Sequence, residues 1–306
     1  MTGLIVNKLS KDALINLPKR SILTNASNYL YKCRLLVNSL LDKSLIGLES
    51  VKNSLDQSLD NFADKNMILV EPEIGELKLK NLADVCQRSN KSVFLNLPEA
   101  SELPQHNRAI SWSIKRITDW LAALIILIIL SPIMLILAAI IGGTSQGDIF
   151  FYQWRVGENG KLFRIIKFRT MITDADKLHH LVMTGQTGLH KCEDDPRITN
   201  VGKWMRKYSL DELPQLFNVL RGEMSLVGPR PWALYDALRI SGDGKRRLKS
   251  LPGVTGAWQV SARSTMLDLD AVTECDLSYL RSWSLWSDLK ILLMTVPKVL
   301  SGFGAC

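Results

Sequence analysis

The segment Trp120–Gly143 reads WLAALIILIILSPIMLILAAIIGG and is the most distinctive feature of the chain. It carries no charged residue and no polar face, whereas a helix in the core of a soluble protein normally keeps a polar face. About 20 apolar residues are enough to cross the hydrocarbon layer of a bilayer. The segment therefore predicts a helix that is inserted in a membrane.

Two features of this segment bear on its topology. Ser131 and Pro132 lie in its middle, and proline kinks or breaks a helix because it lacks a backbone N–H and its ring clashes with a carbonyl one turn earlier. Both flanks are basic, as is typical of the cytoplasmic side of a membrane: Arg108, Lys115 and Arg116 precede the segment, and Arg155, Lys161, Arg164, Lys167 and Arg169 follow it. Kinked spanning helices exist, but the two basic flanks favour a re-entrant helix that turns back at Ser131 and Pro132, within a membrane region at residues 108–147.

Residues 1–107 form a different kind of region. Apolar residues recur at helical spacing through residues 21–64, which predicts one long helix or a helical hairpin. Met67–Val70 and Val93–Leu97 are typical of short strands around a helix at 77–86, and residues 98–107 are typical of a linker. We therefore predict a separate small α/β N-terminal region without a catalytic motif, for which self-association and partner binding are the open alternatives.

Composition narrows the function classes without choosing among them. The net charge of +8 and the pI of about 9.2 suit nucleic acid, an anionic membrane face or phosphorylated substrates. The five cysteines are scattered and form no CxxC pair, so a disulfide framework is not predicted and a zinc site has little support.

Asp211 and Glu212 are the candidate catalytic residues. They follow Ser209 at a predicted helix start, so one interpretation is simple helix capping. The other is a phosphate-handling site, in which carboxylates supply a nucleophile and a metal ligand while cations bind phosphate oxygens. The surrounding cations favour the second interpretation: Arg197, Lys203, Arg206, Lys207, Arg221 and Arg230.

Further cations and aromatic residues have two interpretations each. Pro229 and Pro231 restrict the backbone around Arg230, which favours a two-pronged phosphate contact over a stiff surface turn. Lys167 and Arg169 are two apart on a predicted strand and hence share a face, where they grip a diphosphate or form a cationic strip at the membrane. The apolar C-terminal stretch, which contains Trp283 and Trp286, predicts either core packing or an amphipathic interfacial helix.

Three longer motifs resemble a known family. They are FYQWRVGENGKLFRIIKFRTM at Phe151–Met171, the block Asp194–Pro231, and PGVTGAWQVSAR at Pro252–Arg263. From about Ile114 onward the chain resembles the bacterial sugar transferases, the monotopic polyprenyl-phosphate phosphoglycosyl transferases. The predicted fold is mainly α with a few short strands: a re-entrant membrane helix and amphipathic interfacial helices surround a small cytoplasmic catalytic domain at residues 148–306.

The resemblance also implies a reaction. A nucleotide-diphosphate sugar, expected to be a UDP-sugar, gives its sugar-1-phosphate to polyprenyl (undecaprenyl) phosphate and releases the nucleoside monophosphate. Asp211 matches the family's nucleophile, which forms a covalent aspartyl phosphosugar intermediate, and Glu212 matches the glutamate associated with Mg²⁺. The family's helix break matches Ser131 and Pro132. Expected phosphate and substrate contacts are Lys167, Arg169, Arg206, Arg230 and Arg263. Ala262 stands where many relatives have glycine.

The implied location is the bacterial inner membrane, with the catalytic domain on the cytoplasmic face and anionic lipid around it. The implied pathway step is the first membrane step of exopolysaccharide or other surface-glycan synthesis, with residues 1–107 left for homo-oligomer contacts or pathway partners. A membrane-bound scaffold that holds anionic lipid is the rival interpretation. A nucleic-acid binder is disfavoured because the cations alternate with carboxylates and form no basic face.

Overall fold

The computed structural model describes most of the sequence after residue 66. The described residues are 67–100, 102–104, 108–175, 195–240, 242–261 and 268–302. Within them, helices outweigh strands, the strands are short, and one helix is long and apolar. The predicted fold class is confirmed to this extent, whereas the predicted helix at residues 21–64 and the site residue Arg263 lie outside the described residues.

The described part begins with a small α/β unit. Strand β1 (Met67–Val70) leads through a 3₁₀ turn to helix α1 (Glu76–Arg88) and strand β2 (Ser92–Leu95). The two strands are parallel, as two predicted strands around a helix require. Leu103, in the predicted linker, is fully buried in the main hydrophobic cluster, which also contains Phe163, Leu226 and Trp283, so this residue packs against the rest of the domain.

The apolar segment forms helix α2 (Ala109–Thr144), which has 36 residues. At about 1.5 Å per residue its length is about 54 Å, and by length and composition it is able to cross a membrane. The helix continues through Ser131 and Pro132, so the predicted break is not an interruption of the helix. The hydroxyl of Ser131 donates to the carbonyl of Ile128 at 2.8 Å, which is the carbonyl that loses its usual donor when residue 132 is proline.

Helix α2 packs against the following domain on both sides of Pro132. Trp112 and Ala123 belong to the main hydrophobic cluster, and Met134, Leu137 and Ile141 belong to a second cluster. Large apolar side chains are exposed along the rest of the helix: Ile110, Ile114, Ile117, Trp120, Leu121, Ile125, Ile128, Ile129, Ile133, Leu135, Ile136 and Ile140. The helix therefore has one face on the domain and one uncovered apolar face.

The first turns of α2 are also fixed by buried polar contacts. The ammonium of Lys115 lies 2.7 Å from an Asp288 carboxylate oxygen and 3.2 Å from one of Asp119. Asp288 accepts further hydrogen bonds from the Tyr279 hydroxyl and the Trp283 indole. These pairs connect the start of the apolar helix to the C-terminal part of the chain.

The central elements follow in chain order. Strands β3 (Phe150–Val156) and β4 (Leu162–Phe168) form an antiparallel hairpin. Helices α3 (Asn200–Lys207) and α4 (Gln215–Leu220) flank a 3₁₀ turn at Leu210–Glu212. Strand β5 (Ser225–Val227), helix α5 (Leu234–Arg239), a 3₁₀ helix at Gly242–Lys249 and strand β6 (Gly253–Thr255) come next, and β5 pairs with β6 in parallel.

Three helices complete the described part: α6 (Ala257–Ser261), α7 (Leu269–Arg281) and α8 (Leu285–Ser301). Ser284 begins α8 with a capping box that involves Ser287. One face of α8 buries Asp288 and Ile291, and its other face exposes apolar side chains: Leu285, Trp286, Leu289, Leu293, Met294, Val296 and Leu300. Of the two alternatives for this stretch, core packing holds for Trp283, which is buried in the main cluster, whereas Trp286 is exposed and an interfacial position of α8 stays a prediction.

Candidate active site

The carboxylates of Asp211 and Glu212 lie in a tight turn between two helices. Ser209, just before the turn, has a left-handed backbone with φ of 53° and makes no side-chain capping bond. Ser209 is therefore not a side-chain cap, although Asp211 and Glu212 do lie in the first turn of a short 3₁₀ helix. Thr199 provides a cap instead, because its side chain accepts from the Gly202 amide at the start of α3. Both carboxylates are only 8% exposed, and a buried carboxylate needs partners to offset desolvation.

Two cations from different elements meet on one oxygen of Glu212. The Lys167 ammonium, from β4, donates to Oε1 at 2.8 Å, and the Arg230 guanidinium donates to the same atom at 3.0 Å. Arg230 comes from the turn after β5. The Glu212 carboxylate therefore connects the β3–β4 hairpin to the turn at Pro229–Pro231, the proline-bounded turn. Both contacts are strong, because hydrogen bonds to an ionised partner are about twice as strong as neutral ones.

The electrostatics of Asp211 differ from those of Glu212. Burial raises the pKa of Asp211, and the neighbouring Glu212 charge raises it further, while Lys167, Arg206 and Arg230 oppose the increase. Burial lowers the pKa of Lys167, against the pull of Glu212. Glu212 in turn raises the pKa of Arg230. The pKa of Asp211 is thus raised on balance, and the three cations reduce the cost of ionising this buried acid.

The other predicted cations are distributed more widely. The Arg206 guanidinium lies in the field of Asp211 and donates from Nε to the Thr170 hydroxyl at 2.9 Å. Arg169 donates to the carbonyl and hydroxyl of Ser145 at the end of α2. Strand β4 ends at Phe168, so the two-residue alternation that predicted a common face for Lys167 and Arg169 no longer applies. Arg263 lies outside the described residues.

The sequence did not identify Arg155, Tyr235 and Asp236 as part of this region. Arg155 donates to the carbonyl of Pro231 at 3.1 Å, and burial lowers its pKa to about 10. The charges of Glu212, Arg230, Tyr235 and Asp236 all act on it. In the β3–β4 register Arg155 pairs with Phe163, so alternation places it on the face of Lys167, but this placement requires the register, which the structure provides.

Asn218 fixes the turn of the two carboxylates against the hairpin. Its side-chain oxygen accepts from the Ile166 amide at 3.0 Å, and its amide group donates to the Arg164 carbonyl at 2.8 Å. The residue is fully buried. Because it belongs to α4 and bonds to β4, it holds the helix after Glu212 at a fixed distance from Lys167.

The turn also lies beside the apolar helix. Leu210 and Leu213, on either side of the two carboxylates, pack against the cluster that contains Met134, Leu137 and Ile141 of α2. The buried charges of the site are thus next to the half of α2 that follows Pro132. A substrate that is itself held in a bilayer would approach from this side.

Magnesium is the metal that the family resemblance implies at Glu212. Mg²⁺ is usually held by one or two carboxylates together with substrate phosphates and water, and Asp211 and Glu212 provide two adjacent carboxylates. Within the described residues no group of three or more His, Cys, Asp and Glu side chains forms a metal site. A protein-only cage is therefore absent from this part of the chain, and the pair fits an ion that shares its coordination with phosphate.

A family model and several known proteins match most of this chain. A family model described as bacterial sugar transferase matches residues 110–302. The galactosyl transferase CpsE of Streptococcus agalactiae serotype III is 46% identical over 194 residues, which cover 62% of this chain and 43% of the relative. The undecaprenyl-phosphate galactose phosphotransferase of Salmonella typhimurium is 41% identical over 199 residues, which cover 63% of this chain and 41% of the relative.

A shorter relative is matched over almost its whole length. The exopolysaccharide production protein ExoY of Sinorhizobium fredii is 39% identical over 222 residues, which cover 68% of this chain and 96% of the relative. The chain therefore spans less than half of the longer relatives and nearly all of this one. The two carboxylates, their cations and all of helix α2 except its first residue, Ala109, lie within the matched residues 110–302.

Proposed function

This chain belongs to the bacterial sugar transferase family, and on that premise we propose that it transfers sugar-1-phosphate from a nucleotide-diphosphate sugar to a polyprenyl phosphate. The observation that carries the proposal is the buried pair Asp211 and Glu212, which is surrounded by cations and lies beside the apolar helix α2. The named substrate of the Salmonella relative, undecaprenyl phosphate, supports the acceptor. A UDP-sugar is the donor we expect.

Asp211 is the proposed nucleophile. An oxygen of its carboxylate attacks the phosphorus that is bonded to the sugar, and the bond from that phosphorus to the bridging oxygen breaks. The nucleoside monophosphate leaves with the electron pair, and the sugar phosphate stays on Asp211. A phosphate oxygen of the lipid then attacks the same phosphorus and frees the Asp211 carboxylate. Two displacements allow two anionic substrates to react without being bound together.

The cations of the site stabilise the leaving group. Negative charge accumulates on the leaving monophosphate, and preorganised positive groups in a site with little water stabilise it without reorganisation. Lys167, Arg206 and Arg230 are held near the pair by Glu212 and Thr170, so their positions are set before the donor binds. When bound, Mg²⁺ would be held by Glu212 and would neutralise charge on the phosphates.

We further propose that the protein is monotopic, with both ends of α2 on the cytoplasmic side of the inner membrane. Residues on both sides of Pro132 pack against one domain, which supports a helix that dips into one leaflet. The basic flanks support the cytoplasmic side. The exposed apolar face of α8, next to the start of α2 through the Lys115–Asp288 pair, suits an interfacial position.

Substitution of the nucleophile tests the reaction. Asp211→Asn keeps the side chain's size but removes the attacking charge, so we expect nucleoside monophosphate release from a panel of nucleotide-diphosphate sugars to fall to background. In the parent protein without lipid acceptor, release should stop at about one equivalent per enzyme, because the phosphosugar stays on Asp211. Release that strictly requires lipid would contradict the covalent intermediate.

A matched control separates chemistry from folding. Asp148 is exposed and lies just after α2, so Asp148→Asn should leave release unchanged. Circular dichroism and membrane fractionation should show the same fold and insertion for both variants. A protein that binds anionic vesicles but releases no monophosphate from any donor would support the scaffold interpretation instead.

A further inference from the structure

A buried ion pair outside the carboxylate site remains without a role in the proposed reaction. Arg247, in the 3₁₀ helix Gly242–Lys249, donates from Nε and Nη2 to one oxygen of Asp276 in α7, at 2.9 and 2.5 Å. Both side chains are 1% exposed. Burying two charges costs several kcal/mol per ion before their attraction is counted. The attraction between the two charges therefore adds little net stability to the folded state.

The contacts of Arg247 lead to the proline-bounded turn. Its Nη2 also donates to the main-chain carbonyl of Arg230 at 2.9 Å. Its guanidinium lies over the Trp232 ring, 4.2 Å from the ring centre. One side chain therefore touches the residues on both sides of Pro231, while Asp276 holds that side chain in place.

The opposite side of the turn is held by main chain. The Gly253 amide donates to the Pro229 carbonyl and the Gly228 amide to the Thr255 carbonyl, both at 2.9 Å. A Cβ atom on Gly253 would overlap the backbone of Gly228, so only glycine allows this approach. These bonds fix the turn up to Pro229, and Arg247 is the contact that fixes the carbonyl of Arg230 itself.

We propose that Arg247 and Asp276 are positioning residues for Arg230, which they orient toward Glu212 and the departing phosphate. This inference rests on the proposed function. Proline restricts its own φ and the conformation of the residue before it, but the carbonyl of Arg230 still needs a donor to fix its direction. Arg247 supplies that donor, and Asp276 prevents Arg247 from turning away.

Kinetics of conservative variants test the proposal. Arg247→Lys keeps the charge but loses the two-pronged contact with Asp276 and the stacking on Trp232. Because a misplacement of about 1 Å costs on the order of 100-fold in rate, we expect kcat for monophosphate release to fall about 10- to 100-fold, with a smaller change in donor KM. Asp276→Asn should behave in the same way.

Two controls separate positioning from loss of stability. Leu277 neighbours Asp276 in α7 and is buried in the main cluster, so Leu277→Ala should lower Tm but leave kcat per folded protein unchanged. In an Arg230→Gln background, Arg247→Lys should cause no further loss of kcat, because residues that act through one group are not additive. An additive loss, or a loss that Leu277→Ala reproduces at equal Tm, would overturn the proposal. Absence of release by the parent protein with every donor would instead contradict the proposed function.

Discussion

At the scale of single residues, the sequence predicted most, but not all, of the cations around the carboxylate pair. Lys167, Arg206 and Arg230 were predicted from their charge and spacing, and the structure brings all three to Asp211 and Glu212. Arg155 was missed because it reaches the site through hairpin pairing, which a single strand does not reveal. Arg169 turns to Ser145 because the strand that would have aligned it with Lys167 ends at Phe168.

Asp236 gives a prediction about stability and pH. Burial raises its pKa to about 6, against the opposing charge of Arg155, and its Oδ1 has no hydrogen-bond partner among the described residues. The folded state therefore holds the proton more tightly than the unfolded state. The resulting stability is fully present below pH 4 and is lost as the pH rises through 6.

Asp236→Asn should remove this pH dependence. The shift from 3.8 to about 6 corresponds to at most about 3 kcal/mol, so at pH 7 the variant should equal or exceed the parent protein in stability. Thermal unfolding in detergent from pH 4 to pH 7 measures it. Asp243→Asn, at a side chain that is 80% exposed, should keep the parent's slope. A parent protein whose Tm does not fall between pH 4 and pH 7 would contradict the assignment.

At the scale of elements, the apolar run predicted helix α2, but its sequence did not show how proline is tolerated. The hydroxyl of Ser131 replaces the missing donor for the Ile128 carbonyl, a compensation that depends on side-chain rotation and not on hydropathy. The sequence likewise did not show that Ser209 makes no side-chain cap. The left-handed backbone of Ser209 turns the chain between α3 and α4, and serine at that position gives no sequence signal for it.

The Ser131 hydroxyl yields a prediction about α2. Ser131→Ala leaves the Ile128 carbonyl without a donor and should reduce stability by about 1 kcal/mol. The double variant with Pro132→Ala should recover that loss, because residue 132 then supplies its own N–H. Thermal unfolding in detergent is the measurement. Ser113→Ala is the control, because the Ser113 hydroxyl bonds to the Ala109 carbonyl, and residue 113 still has the N–H that a helix directs to that carbonyl. A double variant no more stable than Ser131→Ala would contradict this account.

At the scale of the whole molecule, the α/β unit ahead of α2 is attached to the catalytic hairpin. The Asp84 carboxylate accepts from the Trp154 indole at 2.8 Å and from Arg164 at 2.5 Å, and these two residues are cross-strand partners in β3 and β4. The sequence predicted the unit's strands and helix but not this contact, because pairs 70 and 80 residues apart leave no local pattern. The hairpin that carries Lys167 is thereby supported from the side away from the carboxylates.

The topology of the molecule gives the last prediction. If α2 dips into one leaflet, its two ends lie on the same side of the membrane, whereas a spanning helix of this length would place them on opposite sides. Ser113 and Gln146 are exposed near the two ends, so each can be replaced by cysteine in a background from which the five native cysteines have been removed. A membrane-impermeant maleimide should label both positions in cytoplasmic-side-out vesicles and neither in intact spheroplasts. Labelling of the two positions from opposite sides would exclude the monotopic arrangement, although Leu210 and Leu213 would still pack against the cluster that contains Met134 and Leu137 of α2.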